Sequence, residues 1–165
     1  MIELSFSIPK VEIKDAISRK AFLYARSMEA AGNVNYELSS HMQPSDLEPD
    51  SSELEHAISS AVSSVRLALC EYLKGGVSER ESDDAVTLLF SLPGNYNRDA
   101  FSAVRSGVVD YIVMRSLYEW YRETYPDISA ACDGDASSAL ARCVSALYKR
   151  RRPLRPCMCD QTEKR

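Results

Sequence analysis

A change of hydrophobic period at Pro9 restricts this chain more than any other feature. From Ile2 to Ile8 the residues alternate: Ile2, Leu4, Phe6 and Ile8 fall on one side, and Glu3, Ser5 and Ser7 on the other. That period of two belongs to a half-buried strand. Directly after Pro9, which can open a helix at its first turn, the spacing becomes three and four. Ile13, Ile17, Ala21, Tyr24, Ala25 and Met28 then form one stripe of a helix from about Lys10 to Ala31, stopped by Gly32-Asn33. Alternation returns once, over 84–92, where Val86, Leu88, Phe90 and Leu92 share a side, Leu89 interrupts, and Pro93-Gly94-Asn95 makes a turn. Two strands predict a ribbon, with 84–92 pairing with 2–8. A lone ribbon is marginal in water, so helices must cover its apolar face.

Three further helices are expected. Residues 33–50 read as a polar connector without a regular element, because Pro44, Pro49 and several Ser and Asp residues interrupt it. Its length is typical of functional or mobile loops. Asp50 with Glu53 resembles a capping box opening the next helix, whose apolar face is Leu54, Ala57, Ile58, Ala61, Val65, Leu69 and Tyr72 and whose stop is Gly75-Gly76. A long helix from about Arg98 to Tyr125 carries Phe101, Val104, Val108, Ile112, Leu117 and Tyr121, with Gly107 as a weak interior point. Pro126 breaks it. A last helix, about Asp127 to Arg150, carries Ile128, Ala131, Cys132, Ala136, Leu140, Cys143, Val144 and Leu147, with Gly134 weakening its first half. The expected fold is mainly α: a four-helix bundle-like domain with a small two-stranded antiparallel, hairpin-like β ribbon and a basic C-terminal tail. The 165 residues suit a single domain over 1–150, with 151–165 as a flexible tail.

The charge is unevenly placed. Lys149 to Arg165 holds seven Lys/Arg against two Asp/Glu, a net +5, whereas the whole chain is −4 and the remainder therefore −9. An acidic body disfavours non-specific nucleic-acid binding, while the basic segment suits phosphate or an acidic protein surface. The start, Met1-Ile2-Glu3-Leu4-Ser5-Phe6, lacks a basic region followed by an apolar one, and no stretch approaches the apolar length of a membrane span. An intracellular protein is expected. Five cysteines, an odd number, fit free thiols in a reducing compartment better than a disulfide framework.

No motif announces catalysis. His41 and His56 have no nucleophile placed with them, and both read as exposed. Cys157-Met158-Cys159 supplies two thiolates, but a structural zinc site needs four ligands. Asp83-Asp84 and Asp133-Gly134-Asp135 lie at expected element borders and read as solvated; the second lacks a calcium loop's ligand series. Gly75-Gly76 lacks the Lys-Ser/Thr of a phosphate-binding loop. The expectation is no catalytic residue, no metal and no cofactor.

The features that point to interaction are two. Tyr118, Tyr121 and Tyr125 share a helical face, with Trp120 displaced from them. Core packing with one partly exposed ring accounts for this cluster; a subunit interface is the sharper alternative, with Trp120 and Tyr121 as its residues. The run Lys149-Arg150-Arg151-Arg152-Pro153-Leu154-Arg155-Pro156 follows the last helix. Cations at a helix C-terminus and a solvated charge run are the plain account. The functional one is a docking arm, through Arg150, Arg151, Arg152 and Arg155, for DNA phosphate or an acidic neighbour.

The closing Leu147-Tyr148, basic run and Pro153-Leu154-Arg155-Pro156 resembles the ending of small helical proteins of tailed phages and prophages, of a type found in gut Bacteroidetes. The resemblance runs through the chain: strand and first helix over Leu4 to Glu29, Tyr36-Glu37-Leu38 with an acidic loop over Asp46 to Glu53, a strand and turn over Val86 to Pro93, and an aromatic-rich helix over Phe101 to Tyr125. It implies a non-enzymatic virion structural or assembly protein, a head–tail connector or head-completion subunit. The implied partners are copies of itself in a ring, and the portal or neighbouring head and tail proteins. The implied location is the virion, and the host bacterial cytoplasm during assembly. The Cys-Met-Cys ending is no part of that resemblance. Two alternatives stand beside it: an intracellular regulatory binding module that uses the Arg arm on nucleic acid or an acidic protein, and an enzyme with a dispersed site in a deep pocket.

Overall fold

A computed structural model describes residues 1–32, 40–45, 50–74 and 84–151. Strand β1 is Ile2–Pro9 and helix α1 is Lys10–Ala30. Helix α2 is Asp50–Ala68, strand β2 is Ala85–Leu92, and a 3₁₀ turn, Arg98–Ala100, leads into α3, Phe101–Tyr121. Helix α4 is Pro126–Leu147. The chain is mainly helical with a two-stranded antiparallel sheet, as the two periods require.

The strands pair in the register that buries one face. Ile2 lies opposite Leu92, Leu4 opposite Phe90, Phe6 opposite Leu88 and Ile8 opposite Val86. Glu3, Ser5 and Ser7 face outward. The ribbon is not a local hairpin: α1 and α2 separate its strands in sequence. Beneath it, Phe6, Phe90 and Phe101 meet with ring centroids 5.5 to 5.7 Å apart, Phe90 standing edge-on to Phe101 at 86°. Such tilted and edge-to-face contacts suit the aromatic quadrupole.

Helix α3 is the hub, with α1, α2 and α4 all packed on it and α4 most extensively. Its expected single stripe is too narrow for that position. Gly107, Val113, Met114 and Ser116 are buried too, so the helix is covered on several sides. Ser116 is tolerated because its hydroxyl donates to the Ile112 carbonyl at 2.8 Å. The α3–α4 seam is lined by small residues, with Ser129, Cys132, Ala136, Ala139, Cys143 and Ala146 buried on α4. A Cβ added at Gly107 would stand 2.9 Å from the Cys143 Cβ and 3.3 Å from the Ala139 carbonyl oxygen. Gly107 is therefore what allows the two helices to approach, rather than a weak point of one of them.

Several element ends differ from the sequence reading. Helix α2 stops at Ala68, and Leu69 to Tyr72 turn. Leu73 then bridges Phe90, with the Lys74 N–H donating to Leu89 O (2.9 Å) and Ser91 N–H to Tyr72 O (2.8 Å). That edge of β2 is thus paired by a segment whose sequence reads as helix. The expected stop at Gly75-Gly76 lies outside the described residues. Helix α1 ends as expected, with Gly32 at φ +72°. Helix α3 ends at Tyr121, and Pro126 takes the first turn of α4. In the connector, residues 40–41 are helical and Met42 is fully buried, against the expectation of an irregular polar loop. On α4, Ala131 is exposed, and Leu140 and Val144 are half-buried.

Gly134 differs from Gly107. It sits on the exposed side of α4 with nothing within 4 Å of an added Cβ. Replacing it with alanine removes only the entropic cost of a helical glycine. Gly134→Ala is expected to stabilise the chain by about 0.5–1 kcal/mol, read as a higher urea midpoint with an unchanged slope.

Candidate interaction surfaces

Helices α3 and α4 run antiparallel, and their cross-links fix which end is which. Ser129 Oγ donates to Tyr118 O at 3.1 Å, Arg115 pairs with Asp133 at 2.8 Å, and Arg142 pairs with Asp110 at 3.3 Å. The end of α4 therefore lies beside the start of α3. There the chain leaving α4 is held by main-chain bonds, Asn97 N–H to Lys149 O at 3.0 Å and Arg151 N–H to Asn95 O at 2.8 Å. Tyr96, fully buried, bridges Arg150. The hydrogen-bonded structure thus extends through Arg151. Arg150 turns back and donates from Nη1 to Leu147 O at 2.7 Å, meeting a carbonyl at the helix end. Lys149 and Arg151 are exposed. Arg152, Arg155, Cys157 and Cys159 lie outside the described residues, as do Tyr36-Glu37-Leu38, residues 46–49 and Asp83.

A second surface lies at the far end of α3. Trp120 is half-buried, and its indole Nε1–H donates to Met42 O at 3.3 Å. Tyr121 is not at the surface: it is 1% exposed, and its hydroxyl donates to the same carbonyl at 3.0 Å. Of the two aromatic interface candidates, only Trp120 borders open space. It does so in a groove of about 550 Å³ between α2 and the end of α3, lined by Glu53, His56, Glu119, Arg122 and Glu123 among others. Glu119 is paired with Arg122 at 3.1 Å and Arg115 at 3.6 Å; Glu53 and Glu123 stand exposed at the rim, Glu123 in a long 3.9 Å pair with Arg122. Three carboxylates against one guanidinium give the lining a negative balance. Sequence spacing marks Trp120 but not the groove, because α2 reaches it only through the tertiary fold.

A third recess, about 370 Å³, separates α1 from α4 over the side of α3. Val113 and Met114 line it with Arg19, Lys20, Asp110 and Asp135. Its charges are mixed in sign.

His41 and His56 are exposed. Among the described residues no group of three His, Cys, Asp or Glu could hold a metal ion. Burial pushes the Cys132 thiol up, and burial together with neighbouring Cys132 pushes the Tyr24 hydroxyl well above its ordinary range. Burial raises Cys143 from 9.0 to about 11. These are protonated packing thiols rather than nucleophiles. A folded-state pKa above the unfolded one gives stability that is complete below the unfolded value and lost as pH rises through the folded one. The urea midpoint is accordingly expected to fall between pH 9 and about 11, and Cys143→Ala to make that fall shallower.

Comparison of the chain with protein-family models, curated proteins and solved structures gave no match. None of the helices in the described residues is long and apolar enough to cross a membrane.

Proposed function

We propose that the chain is a non-enzymatic assembly subunit of a tailed phage or prophage virion, of the head–tail connector kind that its sequence resembles. The observation that carries this reading is the polarity of the helical body. Main-chain bonds root a run of cations at one end of the α3–α4 pair, and a Trp-walled groove with a negative lining occupies the other. Closed rings use heterologous interfaces, in which two different patches of the subunit meet. A body with unlike ends has such patches, whereas a self-complementary two-fold contact needs one patch matched to itself. The acidic remainder of the chain also suits a ring through which DNA passes without sticking.

The test is capture by portal. Purified portal assemblies are expected to retain the chain on size exclusion, in a ratio set by the ring. A chain that elutes apart from portal at every concentration contradicts the connector assignment. If the Arg segment instead retards DNA in a salt-sensitive way and portal is ignored, the regulatory binding module takes its place.

A further inference from the structure

We propose that Arg151, Arg152 and Arg155 of one copy dock in the Trp120 groove of a second copy, so that the chain assembles head to tail. The proposal deepens the functional reading and rests on its self-assembly part; it does not require portal as the neighbour.

Distance decides between a contact within one chain and a contact between two. Lys149 is bonded to Asn97, just before α3, and Trp120 is at the other end of that helix. The 21 residues of α3 span about 30 Å at 1.5 Å per residue. Arg151 is pinned at the near end by its bond to Asn95. Arg155 follows four residues later, so the backbone between them reaches at most about 14 Å even when fully extended. Adding a side chain still leaves the arginines short of their own groove. A neighbour's groove has no such limit.

The chemistry of the two surfaces matches. Glu53 and Glu123 stand exposed at the groove rim; Glu123 meets Arg122 only at 3.9 Å, so both carboxylates keep oxygens open to an incoming guanidinium. The indole of Trp120 is held at one edge by Met42 O, which presents the ring as a fixed wall on which an arginine can stack. Arg150 is committed to Leu147 O, so it is left out of the docking set.

Two full-length variants test this. One carries Arg151→Glu, Arg152→Glu and Arg155→Glu; the other carries Glu53→Arg and Glu123→Arg. All the described positions changed are exposed, and circular dichroism checks that each variant folds. By light scattering, the wild type is expected to assemble and each variant alone to assemble roughly tenfold more weakly, as turning two exposed ion pairs into repulsive contacts would give. An equimolar mixture is expected to regain assembly, because each reversed arm then meets a reversed groove. Trp120 is the sole tryptophan, so a peptide of residues 149–165 added to the arm variant should shift its fluorescence. A wild type that stays monomeric, an arm variant that assembles normally, or a mixture that gains nothing overturns the proposal. Portal capture separates the two readings. A rescued mixture that portal ignores keeps this contact and removes the connector role, while portal capture with no rescue does the reverse.

Discussion

Gly107→Val is expected to destabilise the chain by about 3 kcal/mol or more, the upper range for overpacking a close contact. An alanine Cβ at this position already falls 2.9 Å from the Cys143 Cβ, closer than such atoms approach, and 3.3 Å from both Cys143 Cα and the Ala139 carbonyl oxygen. The atoms in the way are backbone and the root of a side chain, so no rotamer change relieves them. Valine adds two methyl groups in the same space, and α3 and α4 must move apart along the most extensive helix contact among the described residues. At about 2–4 °C per kcal/mol for a chain of this size, the melting temperature should drop by roughly 10 °C. Gly107→Ala is a milder case, because its gain in helix propensity, about 1 kcal/mol, offsets part of the clash. Cys143→Gly removes the opposing Cβ, so the Gly107→Ala, Cys143→Gly pair should show favourable coupling in a double-mutant cycle. Equal stability of Gly107→Val and the wild type would contradict the packing described at this seam.

The second large effect is expected at Phe90. Phe90→Ala should cost about 3–5 kcal/mol, the range for removing a buried aromatic ring. Phe90 is fully buried, touches both Phe6 and Phe101, and is the residue that Leu73 bridges. Its loss therefore opens a cavity where the ribbon, α3 and the Tyr72–Lys74 edge meet. Leu89→Ala is the control. Leu89 is half-buried on the other face of the same strand, and its replacement should cost under about 1.5 kcal/mol. Urea denaturation of the two variants measures the contrast, and equal losses would mean that the ribbon does not pack through the face assigned to it.

Both positions also show what the sequence could and could not reveal. The alternation of Val86, Leu88, Phe90 and Leu92 marks the buried face of β2 because one side of a strand is either core or solvent. The same logic gave β1 and the stripe Ile13, Ile17, Ala21 and Ala25 of α1. Propensity treats a helix alone and so marks Gly107 as a weak point, whereas the reason for this glycine is on another helix. Val113 and Met114 escaped the α3 stripe because a hub helix is covered on several sides, which a single-stripe pattern does not describe. Met42 had no periodic neighbours to signal its burial, and its place is fixed by the Trp120 and Tyr121 donors to its carbonyl. Tyr72 and Leu73 continue the apolar spacing of α2, yet they pair with β2, because the sheet edge offers main-chain bonds that local pattern cannot foresee.

The candidate surfaces are legible by residue type and not by arrangement. The Arg run and Trp120 stand out in the sequence, but the placing of Lys149 to Arg151 and of Trp120 at opposite ends of α3 follows only from the antiparallel α3–α4 pairing and the Asn95–Arg151 bond. Glu53 and His56 join Trp120 across a helix interface from far away in the chain. Tyr121 shares the aromatic cluster's composition but lies in the core, since its hydroxyl has an internal acceptor and needs no solvent.

The most direct test of the central claim is mass by light scattering over a wide concentration range, at low and high salt, with and without portal. An assembly subunit with unlike charged ends should rise above its 18.4 kDa monomer mass with concentration, weaken as salt screens the contact, and be retained by portal. A mass that stays at 18.4 kDa under every condition, with portal eluting separately, would contradict the account.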